Sequence, residues 1–343
     1  MSISHSPADQ PPYPLHPSVI NKLDPEYVDF YNAHVIDRQQ VHLQPVEASR
    51  TSGVLIPGGG PLLPVGRTVD LRIGRRVTEG PEIPLRAFIP EGTAPASGWP
   101  LMLYFHGGGW VLGNIDTENP VCTNLCNRGR CVVVTVNYRL APEHRWPAAV
   151  HDCWEALLWL LADGPTHLPI DTKILATGGS SAGGNLACII TQKALTLSPP
   201  VHFQAQLLSV PVTDNTASVS TNDAYREYEH TPALPAAKML WYREHYLPDQ
   251  KDWANPEASP LFYTGDWSAL PRALVMVGEL DVLRTEGEQY AQKLQKAGVP
   301  VNLQIMRGMP HPFLAMDAVL KEGKRSITLM CDLLKEVFWN EHK

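Results

Sequence analysis

The run Gly179-Ser180-Ser181-Ala182-Gly183 follows an apolar stretch and opens a helix-like one in this chain of 343 residues. A strand, a sharp turn and a helix start of this kind lift Ser181 onto a strained corner, and small residues two before and two after let strand and helix approach each other. A hydroxyl held that way suits nucleophilic attack on a carbonyl carbon. The bare Gly-x-Ser-x-Gly spacing arises by chance about 0.1 times in a chain this long, and its bland reading is a glycine-rich turn. The chemistry therefore rests on what accompanies the serine.

Upstream, Leu103-Tyr104-Phe105-His106-Gly107-Gly108-Gly109-Trp110 is an apolar strand running into three glycines. Glycines there let backbone N–H groups turn toward one point, where with the N–H of the residue after the nucleophile they would hold the charge that develops on a carbonyl oxygen. Gly108, Gly109 and Ala182 are the expected oxyanion hole. A flexible loop is the alternative for the glycines alone, and His106 is expected to anchor the loop rather than act as a base.

A serine hydroxyl needs a base, itself oriented by a carboxylate. Ala273-Leu-Val-Met-Val-Gly278 reads as a strand ending in Glu279-Leu280-Asp281, and Val301 to Arg307 reads as a last strand followed by Gly308-Met309-Pro310-His311-Pro312-Phe313. The order Ser181, Asp281, His311 is that of a nucleophile–acid–base set placed at consecutive strand ends. Glu279 is the rival acid, disfavoured because it is expected to point to the other side of the strand end.

Periodicity gives the elements that must position these groups. Short apolar or β-branched runs at 68–75, 83–89, 100–105, 131–137, 173–178, 203–210, 273–277 and 301–306 predict strands. Helical patterns at 117–127, 147–162, 182–197, 285–297 and 315–338 alternate with them, which predicts a mixed, mostly parallel eight-stranded sheet with helices on both faces. The first two strands, joined through Gly80-Pro81, are expected as an antiparallel edge hairpin. Residues 61–343 form the main domain in this reading. Residues 1–60, with a helical patch around 25–40, and an insertion at about 212–256 break the alternation and are expected to form a helical cap over the strand ends.

Composition narrows the function. Hydrophobic residues at 44% and charged residues at 18% suit a packed globular chain, and a net charge of -7 argues against a nucleic-acid surface. No apolar stretch approaches the ~20 residues of a membrane helix, and the N-terminal sequence lacks the pattern of a secretory signal. The six cysteines lack zinc-knuckle or dithiol spacing, so no metal is expected. Cys122, Cys126 and Cys131 read as buried thiols, and a cytoplasmic location is the expectation.

Together the segments resemble the hormone-sensitive-lipase-like family of α/β-hydrolases, esterases with an HGGG loop and a GDSAG-type elbow. The matching stretches are His106 to Trp110, Asn137 to His144, Gly179 to Ala187, Asp281 to Gly287 and His311 to Phe313, within residues 68–340. The run Gly113 to Asn119 and the HPF ending are most similar to fungal members, carboxylesterases or tailoring hydrolases of secondary metabolism. Ser180 stands where the family usually has Asp, Val282 where it has Pro, and Pro312 where it has Gly or a small residue.

The resemblance implies an α/β-hydrolase fold and cofactor-free hydrolysis of a small-molecule ester of short to medium acyl length through an acyl-enzyme. Self-association, as a homodimer, is a further implication. Trp110, Tyr228, Trp241, Tyr242 and Phe313 are the aromatic candidates for the substrate pocket, each of which would serve equally as core. Lactone or amide hydrolysis and acyl transfer or cyclisation would run on the same groups. Some relatives are small-molecule receptors that have lost the histidine, and His311 argues against that reading.

Overall fold

The computed structural model describes residues 10–51 and 57–340. The first nine residues, part of the stretch read for a targeting signal, and residues 52–56 of the N-terminal segment lie outside the described residues.

Eight strands form one sheet: β1 Arg67–Ile73, β2 Ile83–Ile89, β3 Trp99–Phe105, β4 Val132–Val136, β5 Ile170–Ser180, β6 Ala205–Ser209, β7 Arg272–Gly278 and β8 Val301–Met306. Their order is β1-β2-β4-β3-β5-β6-β7-β8. β1 and β2 form the expected antiparallel edge, β2 pairs antiparallel with β4, and the remaining neighbours are parallel. β3 and β4 are buried along their whole length, so both pleat faces are covered, which is why their sequences are apolar runs broken only by Thr135. The edge strand β1 instead alternates in exposure.

The described residues also form ten α-helices: α1 Pro25–His34, α2 Val46–Thr51, α3 Asn119–Gly129, α4 Ala148–Ala162, α5 Gly164–His167, α6 Ala182–Ala194, α7 Asp223–Glu227, α8 Ala236–Tyr246, α9 Arg284–Lys296 and α10 Lys321–Lys335. α6 packs on β3, β5 and β6 with α4 beside it, α3 packs with α10, and α9 packs on β7 and β8. No helix among the described residues is long and apolar enough to cross a membrane.

Local chemistry explains where elements begin and end. Pro25 opens α1 and Asp24 caps it, its carboxylate accepting the Glu26 N–H at 2.8 Å. The helical patch around 25–40 is cut at His34. The helix expected over 315–338 starts only at Lys321, because the chain first stops to hold the N-terminal segment. Asp317 accepts the Gly60 N–H at 2.8 Å, and the Ala318 N–H donates to the Gly58 carbonyl at 3.0 Å.

The run Tyr138-Arg139-Leu140-Ala141-Pro142-Glu143 acts as a clamp. Asp152 on α4 takes both Arg139 and Arg75, and the Arg139 backbone N–H donates to the same carboxylate at 2.8 Å. From α2, Arg50 donates to Glu143 at 2.7 Å, to the Ala141 carbonyl at 2.7 Å and to the Val111 carbonyl at 3.0 Å. All six cysteines are buried and free.

Candidate active site

Ser181 occupies the corner between β5 and α6 with φ 56° and ψ -116°, a conformation that an L-residue adopts only when its surroundings impose it. Its N–H donates to the Ser209 carbonyl at 2.9 Å, which pins the corner to β6. A Cβ on either Gly179 or Gly183 would overlap the Phe105 carbonyl oxygen at the end of β3. The small residues flanking the serine are thus required by the neighbouring strand.

Asp281 lies just past β7 and His311 just past β8, 1% and 5% exposed. Nδ1 of His311 is 2.8 Å from Oδ2 of Asp281, and the other carboxylate oxygen accepts the Leu283 N–H at 3.0 Å. The carboxylate is therefore fixed from two sides. Among the described residues no hydrogen bond joins Ser181 Oγ to His311, although both line one cavity. Glu279 points elsewhere. Against the cost of partial burial, the Gly308 N–H at 2.8 Å and Arg307 hold its carboxyl below the usual range.

The glycine loop leaves β3 and folds back on itself, with the Val111 and Leu112 N–H groups both donating to the Gly108 carbonyl, at 3.2 and 2.9 Å. Gly108 and Gly109 have φ of 121° and 61°. A Cβ on Gly109 would run into the Tyr242 ring, so that aromatic lies directly on the loop. Ala182 is the first residue of α6, where backbone N–H groups have no partner inside the helix. His106 anchors the loop: its Nδ1 lies 2.7 Å from the Gly107 carbonyl and its ring stacks on Tyr138 at 4.2 Å. Burial pushes its imidazole down to about 4.

These groups open into a cavity of about 740 Å³, of the size that suits a small organic ligand. Gly107, Gly108, Gly109, Ser181 and His311 form its floor; Tyr13, Tyr27, Phe30, Tyr31 and Val41 come from the N-terminal segment, and Thr231, Leu234, Lys238 and Tyr242 from the insertion. Among the described residues no Asp or Glu lines it.

Of the five aromatic candidates, Tyr242 lines the cavity and the other four do not. Trp110 is fully buried and stacks on Tyr246 at 4.3 Å, and Phe313 is core. Tyr228 lies under Lys22, and Trp241 packs on His245. Trp241 also meets the lining Tyr242 edge-on at 5.1 Å. The lining tyrosines were legible as the apolar stripe Leu23, Tyr27, Phe30 and Tyr31 at helical spacing, but nothing in that stripe says that it faces a cavity.

A family model described as alpha/beta hydrolase fold matches residues 102–315. An AB hydrolase superfamily protein of Schizosaccharomyces pombe is 50% identical over 319 residues, covering 91% of this chain and 93% of its own. An arylesterase of Saccharolobus solfataricus is 36% identical, covering 92% of this chain and 99% of its own. Among solved structures, a fungal esterase from Rhizomucor miehei superposes with a TM-score of 0.83 at 32% identity, covering 94% of this chain and 98% of that one.

Proposed function

The chain belongs to the α/β-hydrolase fold family, in its hormone-sensitive-lipase-like, carboxylesterase-type branch, and on that premise we propose that Ser181, His311 and Asp281 carry out ester hydrolysis through an acyl-enzyme. One observation carries the assignment: the buried 2.8 Å contact between Asp281 and His311 opens into the same cavity as a serine held at φ 56°.

In this mechanism His311 takes the proton from Ser181 Oγ as the oxygen attacks the ester carbonyl. Asp281, bound to Nδ1, leaves Nε2 as the accepting nitrogen and stabilises the imidazolium. The N–H groups of Gly108, Gly109 and Ala182 receive the developing oxyanion. The proton on His311 then passes to the leaving alcohol, and the acyl group stays on Ser181. Water, deprotonated by the same imidazole, attacks the acyl carbon; the acid leaves and Ser181 regains its proton.

The cap, in this reading, is α1 with its flanking turns together with residues 212–256, and it sets which acyl and alcohol groups fit. A volume of about 740 Å³ favours small to medium esters, including those met in the tailoring of secondary metabolites. Six buried free thiols support a reducing, cytoplasmic setting.

The test is a panel of p-nitrophenyl esters from acetate to palmitate, run on the purified chain and on Ser181→Ala. Turnover of the short and medium esters that disappears in the variant supports the reading. Hydrolysis unchanged in Ser181→Ala removes it.

A further inference from the structure

The elbow of this chain lacks the carboxylate that the resembling esterases carry beside the nucleophile, since residue 180 is Ser. The structure nevertheless places a carboxyl there. Glu118, immediately before α3, is 2% exposed, and its Oε2 accepts the Tyr104 hydroxyl at 2.9 Å. Its other oxygen, Oε1, makes no close hydrogen bond of good geometry. It lies 3.5 Å from where a Cβ of Gly107 would sit, a point itself 3.4 Å from Ser180 Oγ. A buried carboxyl oxygen is thus aimed at the seam between the first glycine of the loop and the residue before the nucleophile.

Resting on the esterase reading above, we propose that Glu118 is a positioning residue for the acyl-transfer step. From α3 it holds Gly107 and Ser180 together, so that the N–H groups of Gly108, Gly109 and Ala182 converge on one oxygen. An unpaired buried carboxyl is costly to keep, and a glutamine would put an N–H₂ donor where a second acceptor is needed. Glu118 accepts from Tyr104 on one side and faces the Gly107 N–H and Ser180 hydroxyl on the other, an arrangement that needs both oxygens as acceptors.

The surroundings shift the ionisation of this carboxyl to higher pH. Burial pushes it up to about 7, while the Tyr104 hydroxyl, the Gly107 N–H and the Ser180 hydroxyl pull toward the ionised form. The other titratable groups facing it are Tyr104 from β3, Cys122 from α3 and Tyr138 from the loop after β4, all of which burial holds in the neutral form. The nearby Arg86 is engaged with Asp70 and Asp116. No cation pairs with Glu118 among the described residues, so its charge depends on pH, and the ionised form is the one that offers both oxygens as acceptors, one to Tyr104 and one toward Gly107 and Ser180.

The experiment uses the full chain with p-nitrophenyl butyrate, comparing wild type, Glu118→Gln and the exchange variant Glu118→Gln/Ser180→Asp, which returns the carboxyl from the other side of the seam. Glu118→Gln should lower kcat about tenfold or more with KM within about twofold. The exchange variant should recover most of that loss. The acidic limb of kcat/KM should need two ionisations in wild type and one in Glu118→Gln. A Glu118→Gln enzyme with kcat within about twofold and an unchanged pH profile overturns the proposal. So does a poorly folded Glu118→Gln whose exchange variant regains neither folding nor turnover. Failure of the esterase reading looks different: wild type itself would turn over no ester, or Ser181→Ala would retain full turnover.

Discussion

Asp281 and His311, thirty residues apart in sequence, meet because β7 and β8 are parallel neighbours that end at the same edge, from Gly278 against Met306. Asp281 reaches across that edge to the imidazole at 2.8 Å, whereas Glu279, two residues earlier, turns back to Arg307 and the Gly308 N–H. Asp281→Asn should therefore cut kcat by about 10³-fold to 10⁴-fold, because the amide cannot hold the required tautomer or support the imidazolium. Glu279→Gln should leave kcat within about threefold. Steady-state kinetics on both variants check this, and comparable losses would return Glu279 to the candidates.

The Tyr242 ring lies where a side chain on Gly109 would have to go, and Gly109 sits at φ 61°. Gly109→Ala is expected to lower kcat about 10²-fold by tilting the loop N–H groups away from the oxyanion. Removing the obstacle in Gly109→Ala/Tyr242→Ala should return part of that activity. If the double variant is no better than the single one, the backbone conformation alone accounts for the loss.

The buried Glu118 also links stability to pH. An unfolded glutamate releases its proton near ~4.3, whereas burial holds the folded-state value up to about 7, so between these values the folded chain keeps a proton that the unfolded chain has lost. Its contribution is full below the lower value and declines as pH rises through the upper one. Thermal midpoints measured from pH 4.5 to 8 should show Glu118→Gln gaining on wild type as pH rises. Parallel curves would mean that the carboxyl titrates normally.

Phe30 faces the cavity from α1 without a hydrogen bond to lose. Phe30→Ala should raise kcat/KM for octanoate relative to acetate esters several-fold, since added methylenes gain room. An equal drop for both acyl lengths would make the N-terminal segment packing rather than pocket.

The sheet was readable from sequence because its central strands are covered on both faces, so that β3 and β4 stand out as nearly continuous apolar runs between glycine and charge. The serine corner and the glycine loop were equally legible, since each needs small residues at fixed places, the corner against the Phe105 carbonyl at the end of β3 and the loop against the Leu112 carbonyl and the Tyr242 ring. The pocket aromatics were not. A buried Trp110 stacked on Tyr246 and a cavity-lining Tyr242 look alike in a string of letters, and only packing separates them. Glu118 was hidden for a related reason. A glutamate in the first turn of a helix expected over 117–127 reads as solvated, and its neighbours Tyr104, Gly107 and Ser180 come from other segments of the chain.

The most direct measurement is the site of covalent capture. A p-nitrophenyl alkylphosphonate is added to the folded chain, p-nitrophenolate release is followed, and the adduct is located by peptide mass spectrometry. The account predicts one equivalent released, with the phosphonyl group on Ser181 Oγ and capture abolished in both Ser181→Ala and His311→Ala. A label on Ser180 or another residue, or unchanged capture in Ser181→Ala, would contradict it.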